Sequence, residues 1–173
     1  MLLYFLVYLF LLYNFTPIYR RMQLEIEKIV TPQQLEIAYA IRTSVFVEEQ
    51  KVAMEEELDE FEHLSVHLLA RKEQGYVGTC RYRLTEKGYK LERFAVLKSY
   101  RMGGVGAALV RAALQEVIQA TESQSKKIYL HAQVSAIPFY EKLGFEAEGE
   151  IFDECAILHR VMNYKHSKIT NEY

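Results

Sequence analysis

From Met22 onward the apolar and polar positions follow two different periods, and the switches between them divide the chain into elements. Leu24 and Ile26, with Ile29 behind them, keep the two-residue period of a half-buried strand. Thr31-Pro32-Gln33-Gln34 then carries the parts of a helix start: threonine as cap, proline in the first turn where its missing N–H is not needed, and glutamine placed to close a capping box. The helix is expected to run on through Leu35, Ala38, Ile41 and Val45, and an acidic stretch from Glu48 to Glu62 follows. The two-residue period then returns, predicting strands over residues 63–71, 76–84 and 89–97, with turns at 72–75 and at Lys87-Gly88. Residues 104–120 read as an amphipathic helix with Val105, Leu109, Ala112, Ala113 and Val117 on one face. A short buried strand is expected over 127–132, and a short helix over 135–143 with Pro138 in its first turn and Gly144 beyond its end. Strands over 145–151 and 157–164 close the chain. The order β-α-(α)-β-β-β-α-β-α-β-β describes an α/β protein with a mixed sheet covered by helices on both faces.

Composition narrows the class. The 173 residues are half apolar and a quarter charged, one domain of ordinary globular make-up. A net charge of -2 and a pI near 6.2 give no basic face for nucleic acid. Cys80 and Cys155 lack a CxxC partner, which fits a reducing, cytoplasmic setting and argues against a disulfide framework or structural zinc. Leu2 to Tyr19 is different: it is apolar except for Asn14, Thr16 and Pro17, and Arg20-Arg21 follows it. It is just long enough for the roughly 20 residues that span a bilayer, with the arginines on the cytoplasmic side. No basic residue precedes it and no small-residue cleavage site follows, so a cleaved signal peptide does not fit. Residues 1–21 therefore stand apart from the domain at 22–173 as a membrane anchor, a packed or dimer-forming segment, or an extension ahead of a start at Met22.

The first candidate chemistry is Arg101-Met102-Gly103-Gly104-Val105-Gly106, lying between a strand and a helix. Glycines there leave backbone amides bare, and the helix directs its positive end at the same spot. The arrangement suits a diphosphate, with Arg101 adding charge-assisted hydrogen bonds. A tight turn with no ligand is the alternative. The spacing matches neither a Walker loop nor a dinucleotide fingerprint.

Preceded by Phe94-Ala95-Val96, this R-x-x-G-x-G resembles the coenzyme A signature of the GNAT superfamily of N-acetyltransferases. Pro138-Phe139-Tyr140-Glu141-Lys142-Leu143-Gly144-Phe145 resembles that superfamily's second hallmark, a short helix and the strand after it. Residues 42–50 (RTSVFVEEQ) and 58–62 (LDEFE) are similar to its ElaA-like branch, and the likeness runs from Met22 to about Tyr164. The resemblance implies a GNAT-like acyl-CoA N-acyltransferase fold in a single domain. It implies acetyl-CoA as co-substrate, no metal, and direct acetyl transfer to a primary amine in a ternary complex. The acceptor would be a small-molecule amine or a protein amine, and a homodimer is possible in this fold.

Carried over residue by residue, Arg101, Met102, Gly103, Gly104, Val105, Gly106 and Ala107 would hold the diphosphate. Phe94, Ala95 and Val96 would lie on a strand that splays from its neighbour and offers amides to the pantetheine arm and the thioester carbonyl. Gln133 stands where the family often has asparagine, and Phe139 joins the cofactor set. Tyr140 maps to the acid that protonates the leaving thiolate, a role worth roughly 10²- to 10⁴-fold in rate, although with 13 tyrosines in the chain a core role is the alternative. Glu92 and His159 are candidate bases, a water chain being the other route. Strand alternation predicts that only one of Glu92 and Arg93 points inward.

Three features carry less. His63 and His67 have the HxxxH spacing of a metal pair, but on one strand they would stand about 13 Å apart. The acidic run from Glu48 to Glu62 reads as a solvated face or as a lip that attracts a cationic amine. Cys80 reads as buried, Cys155 as a loop thiol near the site. Two rival readings keep the fold without the reaction: an acyl-CoA-binding or sensing module, and a scaffold tethered to a membrane by the leader.

Overall fold

The computed structural model describes residues 24–73, 75–120 and 126–165. Among them no helix is long and apolar enough to cross a membrane. The expectations for residues 1–21 fall outside the described residues.

Strand β1 (Leu24–Lys28) leads to helix α1 (Pro32–Arg42), which starts as its sequence requires. The Gln34 amide donates to Thr31 Oγ1 at 3.2 Å, and the Thr31 amide donates to Gln34 Oε1 at 3.1 Å. The helix then widens into a π-helical coil over Thr43–Glu49, where the Gln50 amide reaches the Val45 carbonyl at 3.2 Å. An extra residue per turn shifts the face that follows, and Phe46 and Gln50 end up lining the cleft described below.

A short α2 (Met54–Glu57) and a 3-10 turn (Glu62–Leu64) precede β2 (Val66–Lys72), β3 (Gly75–Thr85) and β4 (Gly88–Val96). The strand expected from residue 63 therefore begins three residues later. Ser65 Oγ and the Leu64 amide both donate to the Phe61 carbonyl and close a tight coil, so His63 and His67 do not share a strand. Among the described residues no group of three His, Cys, Asp or Glu is arranged to hold a metal. The remaining elements are α3 (Val105–Gln119), β5 (Ile128–Gln133), α4 (Ile137–Glu141), β6 (Phe145–Glu154) and β7 (Ile157–Tyr164). The first part of the helix expected over 135–143 is a separate 3-10 turn, Val134–Ala136.

The sheet runs β1-β2-β3-β4-β5-β7-β6, and only β4 and β5 are parallel. Helix α3 covers one face with Leu109, Val110, Ala113 and Val117 against Leu68, Val77, Leu91, Leu130 and Met162. Helix α1 covers part of the other with Ala38, Ile41 and Val45 against Leu69 and Ala95. Gly78 lets α3 approach β3: a Cβ there would lie 3.0 Å from the Ala95 carbonyl and 3.1 Å from Val105 Cγ1.

Two irregularities in β4 create the site. Thr79 pairs with Ala95 and Arg81 with Glu92, so three steps on β4 oppose two on β3, and Arg93 sits at the bulge with φ +58°. The extra residue breaks the alternation, and both Glu92 and Arg93 line the cleft, contrary to the expectation that only one would. The bulge also restores the register beyond it, sending Ala95 to the α1 side and Phe94 and Val96 to the α3 side. The second irregularity is the brevity of the β4–β5 ladder. Tyr89 pairs with Ile128 and Lys90 with Tyr129, and there the pairing stops while both strands run on. Beyond that point the sheet is open.

Candidate active site

The opening leads into a cleft of about 180 Å³ walled by β4, β5, the β6–β7 hairpin and the coil after α1. The glycine loop lies beyond Phe139, which packs on the cleft-lining Tyr140. Gly104 (φ +81°) caps α3, and the first bond within the helix runs from the Ala108 amide to the Gly104 carbonyl at 3.0 Å. The Val105, Gly106 and Ala107 amides precede that bond and have no partner inside the helix. Gly103 and Gly104 are exposed, Met102 (φ +62°) is fully so, and Gly106 lies under Phe139, whose ring would be 3.5 Å from a Cβ there.

Arg101 is anchored. Its two terminal nitrogens donate to the Glu49 carboxylate at 2.6 and 2.7 Å, and its Nε donates to the Val96 carbonyl at 2.9 Å. Lys72, which nothing in the sequence singles out, brings Nζ within 3.9 Å of the Cβ position of Gly103.

Along the opening, the Leu97 amide donates to the Val77 carbonyl at 2.9 Å. Ladder alternation places the Ala95 amide toward β3 as well, and turns those of Phe94 and Val96 across the gap. Of the three strand residues, these two offer free donors. Gln133, at the end of β5, donates to Gln50 Oε1 at 2.8 Å and ties the gap's far bank to the coil after α1. These features fit a pantetheine arm: bare amides at one end, then a slot with outward-facing donors.

Tyr140 is buried within the rings of Phe94, Phe139 and Phe145, at centroid distances of 6.1, 4.9 and 5.8 Å. Its hydroxyl bonds no described residue, and the side chain lines the cleft. Burial pushes the phenol well up, so it is a proton donor at neutral pH.

The inner end is charged. Burial pushes the Glu92 carboxyl up, but Arg81, Lys90 and Arg83 outweigh it and hold the group below the usual carboxylate range. The contacts are 3.2 Å to Arg81, 2.7 Å to Arg83 and 3.2 Å to Lys90. His159 approaches the Ile157 carbonyl with Nδ1 at 2.8 Å and stacks on Phe152. Two residues to which the sequence reasoning assigned no role complete this end: His131, with Nδ1 3.1 Å from Glu154, and Lys90. The alternation Tyr129-His131-Gln133 carried the missed signal, since it places His131 on the face of Gln133. Cys155 also lines the cleft, and burial followed by the neighbouring Glu56 pushes its thiol up.

Behind this wall the acidic run divides. Glu48, Glu55, Glu56 and Glu60 are exposed, while Glu57, Asp59 and Glu62 turn onto arginines from elsewhere in the chain. Arg42 grips Glu57 through Nε and Glu62 at 2.7 and 2.9 Å. Arg81 holds Asp59 at 2.6 and 2.9 Å and Glu62 at 2.6 Å. Arg93, at the bulge, donates to the Glu56 carbonyl at 3.0 Å and to Asp59 at 3.0 Å. The run is thus neither wholly a solvated face nor a lip: Glu57, Asp59 and Glu62 form an ionic wall behind the cleft.

A mixed sheet opened between its parallel strands, beside a glycine-capped helix, defines an acyl-CoA N-acyltransferase. The model described as an acetyltransferase (GNAT) domain matches residues 28–166, and the chain belongs to the GNAT acetyltransferase family. The uncharacterized N-acetyltransferase YjcF of Bacillus subtilis is 40% identical over 118 residues, 68% of this chain and 82% of that protein. An acyl-CoA N-acyltransferase from Pseudomonas aeruginosa superposes with a TM-score of 0.72 at 26% identity, over 83% of this chain and all of that one. Escherichia coli ElaA shares the fold with a TM-score of 0.72 at 24% identity, again over 83% of this chain and all of that one. The protein is an acyl-CoA-dependent N-acetyltransferase.

Proposed function

We propose that the protein moves an acetyl group from acetyl-CoA directly to a primary amine, with both substrates held together in the cleft. The observation that carries this is the early end of the β4–β5 ladder, which opens the sheet at the charged cleft, with Phe139 packed between Tyr140 on the cleft wall and Gly106 of the glycine loop. The amides of Val105, Gly106 and Ala107 hold the diphosphate, helped by Lys72, and by Arg101 once it leaves Glu49. The Phe94 and Val96 amides face the thioester and are in place to stabilise the oxyanion as it develops. Tyr140 gives its proton to the departing sulfur.

Direct transfer is favoured over a covalent enzyme intermediate because the only thiol on the cleft wall among the described residues, Cys155, is held protonated by burial and Glu56. Glu92, clamped by three cations, serves as a fixed negative charge facing the acceptor rather than as its base. The acceptor is a small-molecule amine or an amine projecting from a protein.

The test is acetyl-CoA consumption by the full chain against a panel of alkylamines, polyamines, amino-acid amides and lysine peptides, with products identified by mass. N-acetylated product and titratable coenzyme A binding are expected. Coenzyme A binding without transfer to any amine would leave a sensing module and refute the transferase reading.

A further inference from the structure

We propose that His131, oriented by the Glu154 carboxylate, is the base that takes the proton from the acceptor ammonium. The inference rests on the transferase reading above and names a catalytic residue within it.

The position comes first. The β4–β5 ladder ends at Lys90 and Tyr129, so continuing the same parallel register sets Glu92 opposite His131 across the mouth of the gap. A pantetheine arm entering from the glycine loop has its reactive end at this closed end of the slot, because the paired strands stop it there. His131 lies on β5 between core residues Leu130 and Ala132, which face α3, so its ring faces the cleft. His159 is a strand farther away, on β7 opposite Gln133.

The chemistry comes second. Nδ1 of His131 lies 3.1 Å from Glu154 Oε2, and the ring is held edge-on to Phe152 at 5.0 Å. A carboxylate at Nδ1 keeps the proton on that nitrogen, leaves the Nε2 lone pair outward, and stabilises the imidazolium that forms. No described residue hydrogen-bonds Nε2. His159 has only a backbone carbonyl at its Nδ1, which fixes a tautomer without offsetting a positive charge. The hydrogen bond from His131, with Lys90 and His159 nearby, holds Glu154 at about 2, so it stays ionised as the partner. The charged and titratable groups facing His131 are Glu154 from β6, His159 from β7, Lys90 and Glu92 from β4, and Tyr129 on its own strand.

The balance closes. His131 Nε2 takes one proton from R–NH₃⁺, and the freed lone pair forms the C–N bond at the thioester carbon. The C–S bond breaks, its electron pair leaving on sulfur, which takes the Tyr140 proton. The new amide nitrogen returns a proton to the Tyr140 oxygen, and imidazolium releases the first one to solvent. One proton is liberated per acetyl transferred.

The experiment compares methylamine, protonated at pH 7.5, with hydroxylamine, nearly the same size but neutral there. Acetyl-CoA turnover is measured for wild type, His131→Asn, His159→Asn and Glu154→Gln, with coenzyme A binding measured in parallel. A neutral acceptor does not need the base. His131→Asn is expected to lose about 10²- to 10⁴-fold with methylamine while staying near wild type with hydroxylamine. Glu154→Gln is expected to show the same selectivity, since the imidazolium then loses its carboxylate partner. Coenzyme A affinity is expected to stay unchanged in both. Equal losses on the two acceptors, no loss, or selectivity shown by His159→Asn instead would overturn the assignment. Wild-type turnover with neither acceptor, nor with any amine of the panel, would overturn the transferase reading and this assignment with it.

Discussion

Removing Arg81 tests whether the buried ionic wall holds the cleft together. The guanidinium is fully buried and contacts three carboxylates: Asp59, Glu62 and Glu92. Arg81→Met keeps much of the aliphatic stem and deletes only the charge. Arg42 still reaches Glu62, and Arg83 and Lys90 still reach Glu92, but Asp59 keeps only Arg93. Breaking a buried ion pair from one side costs about 3–5 kcal/mol where the remaining charge is left without a partner, and the lower end of that range applies here because each carboxylate keeps another cation. That is a large part of the roughly 5–15 kcal/mol that holds a domain folded. The pH dependence has a definite sign. Burial raises Asp59, but Arg81 and Arg93 outweigh it and hold the group at about 2, below its ordinary 3.8. A depressed carboxylate adds stability that is present above the unfolded value and disappears as pH falls from there toward 2. In the variant that contribution shrinks, and protonation relieves the stranded charges. The gap between the two proteins should therefore be widest near pH 7 and narrow below about pH 4. Urea unfolding at several pH values measures it. A loss under 1 kcal/mol at pH 7, or a gap that widens on acidification, would refute the reasoning.

Two further outcomes follow from the same geometry. Glu49→Gln releases the Arg101 guanidinium at the edge of the glycine loop, and calorimetry is expected to show tighter coenzyme A binding; weaker binding would mean that the pair holds the loop in its competent form. Gly78→Val pushes a side chain into the Ala95 carbonyl, Val105 and Leu109, and is expected to cost about 1–3 kcal/mol in chemical unfolding, whereas an unchanged midpoint would deny the close approach of α3 to β3.

Much of the fold was legible because its signals are local. The Thr31–Gln34 box, the apolar face of α3 and the glycine cap at Gly104 each lie within a few residues of what they determine. The bulge at Arg93 was not, since the residue at positive φ is an arginine and its supports, Glu57 and Asp59, lie more than thirty residues upstream. The acidic run misled for the same reason: Arg81, which pairs with Asp59 and Glu62, belongs to a strand on the far side of a turn. Of the site, the glycine loop and Tyr140 could be singled out from their motifs; Tyr140 lines the cleft, and Phe139 beside it packs on Gly106. The alternation of β5 puts His131 on the face of Gln133, but what distinguishes it there is the Glu154 carboxylate, brought within reach only by the β5–β7–β6 order.

The central claim is that Tyr140 supplies the leaving sulfur's proton in a direct transfer. Tyr140→Phe removes one unbonded hydroxyl and leaves the aromatic packing in place, so turnover and coenzyme A affinity measured side by side isolate the chemistry. The account requires affinity to hold while turnover falls about 10²- to 10⁴-fold, which is about 3–5 kcal/mol on the barrier. A phenylalanine enzyme that turns over within a few-fold of wild type would contradict it.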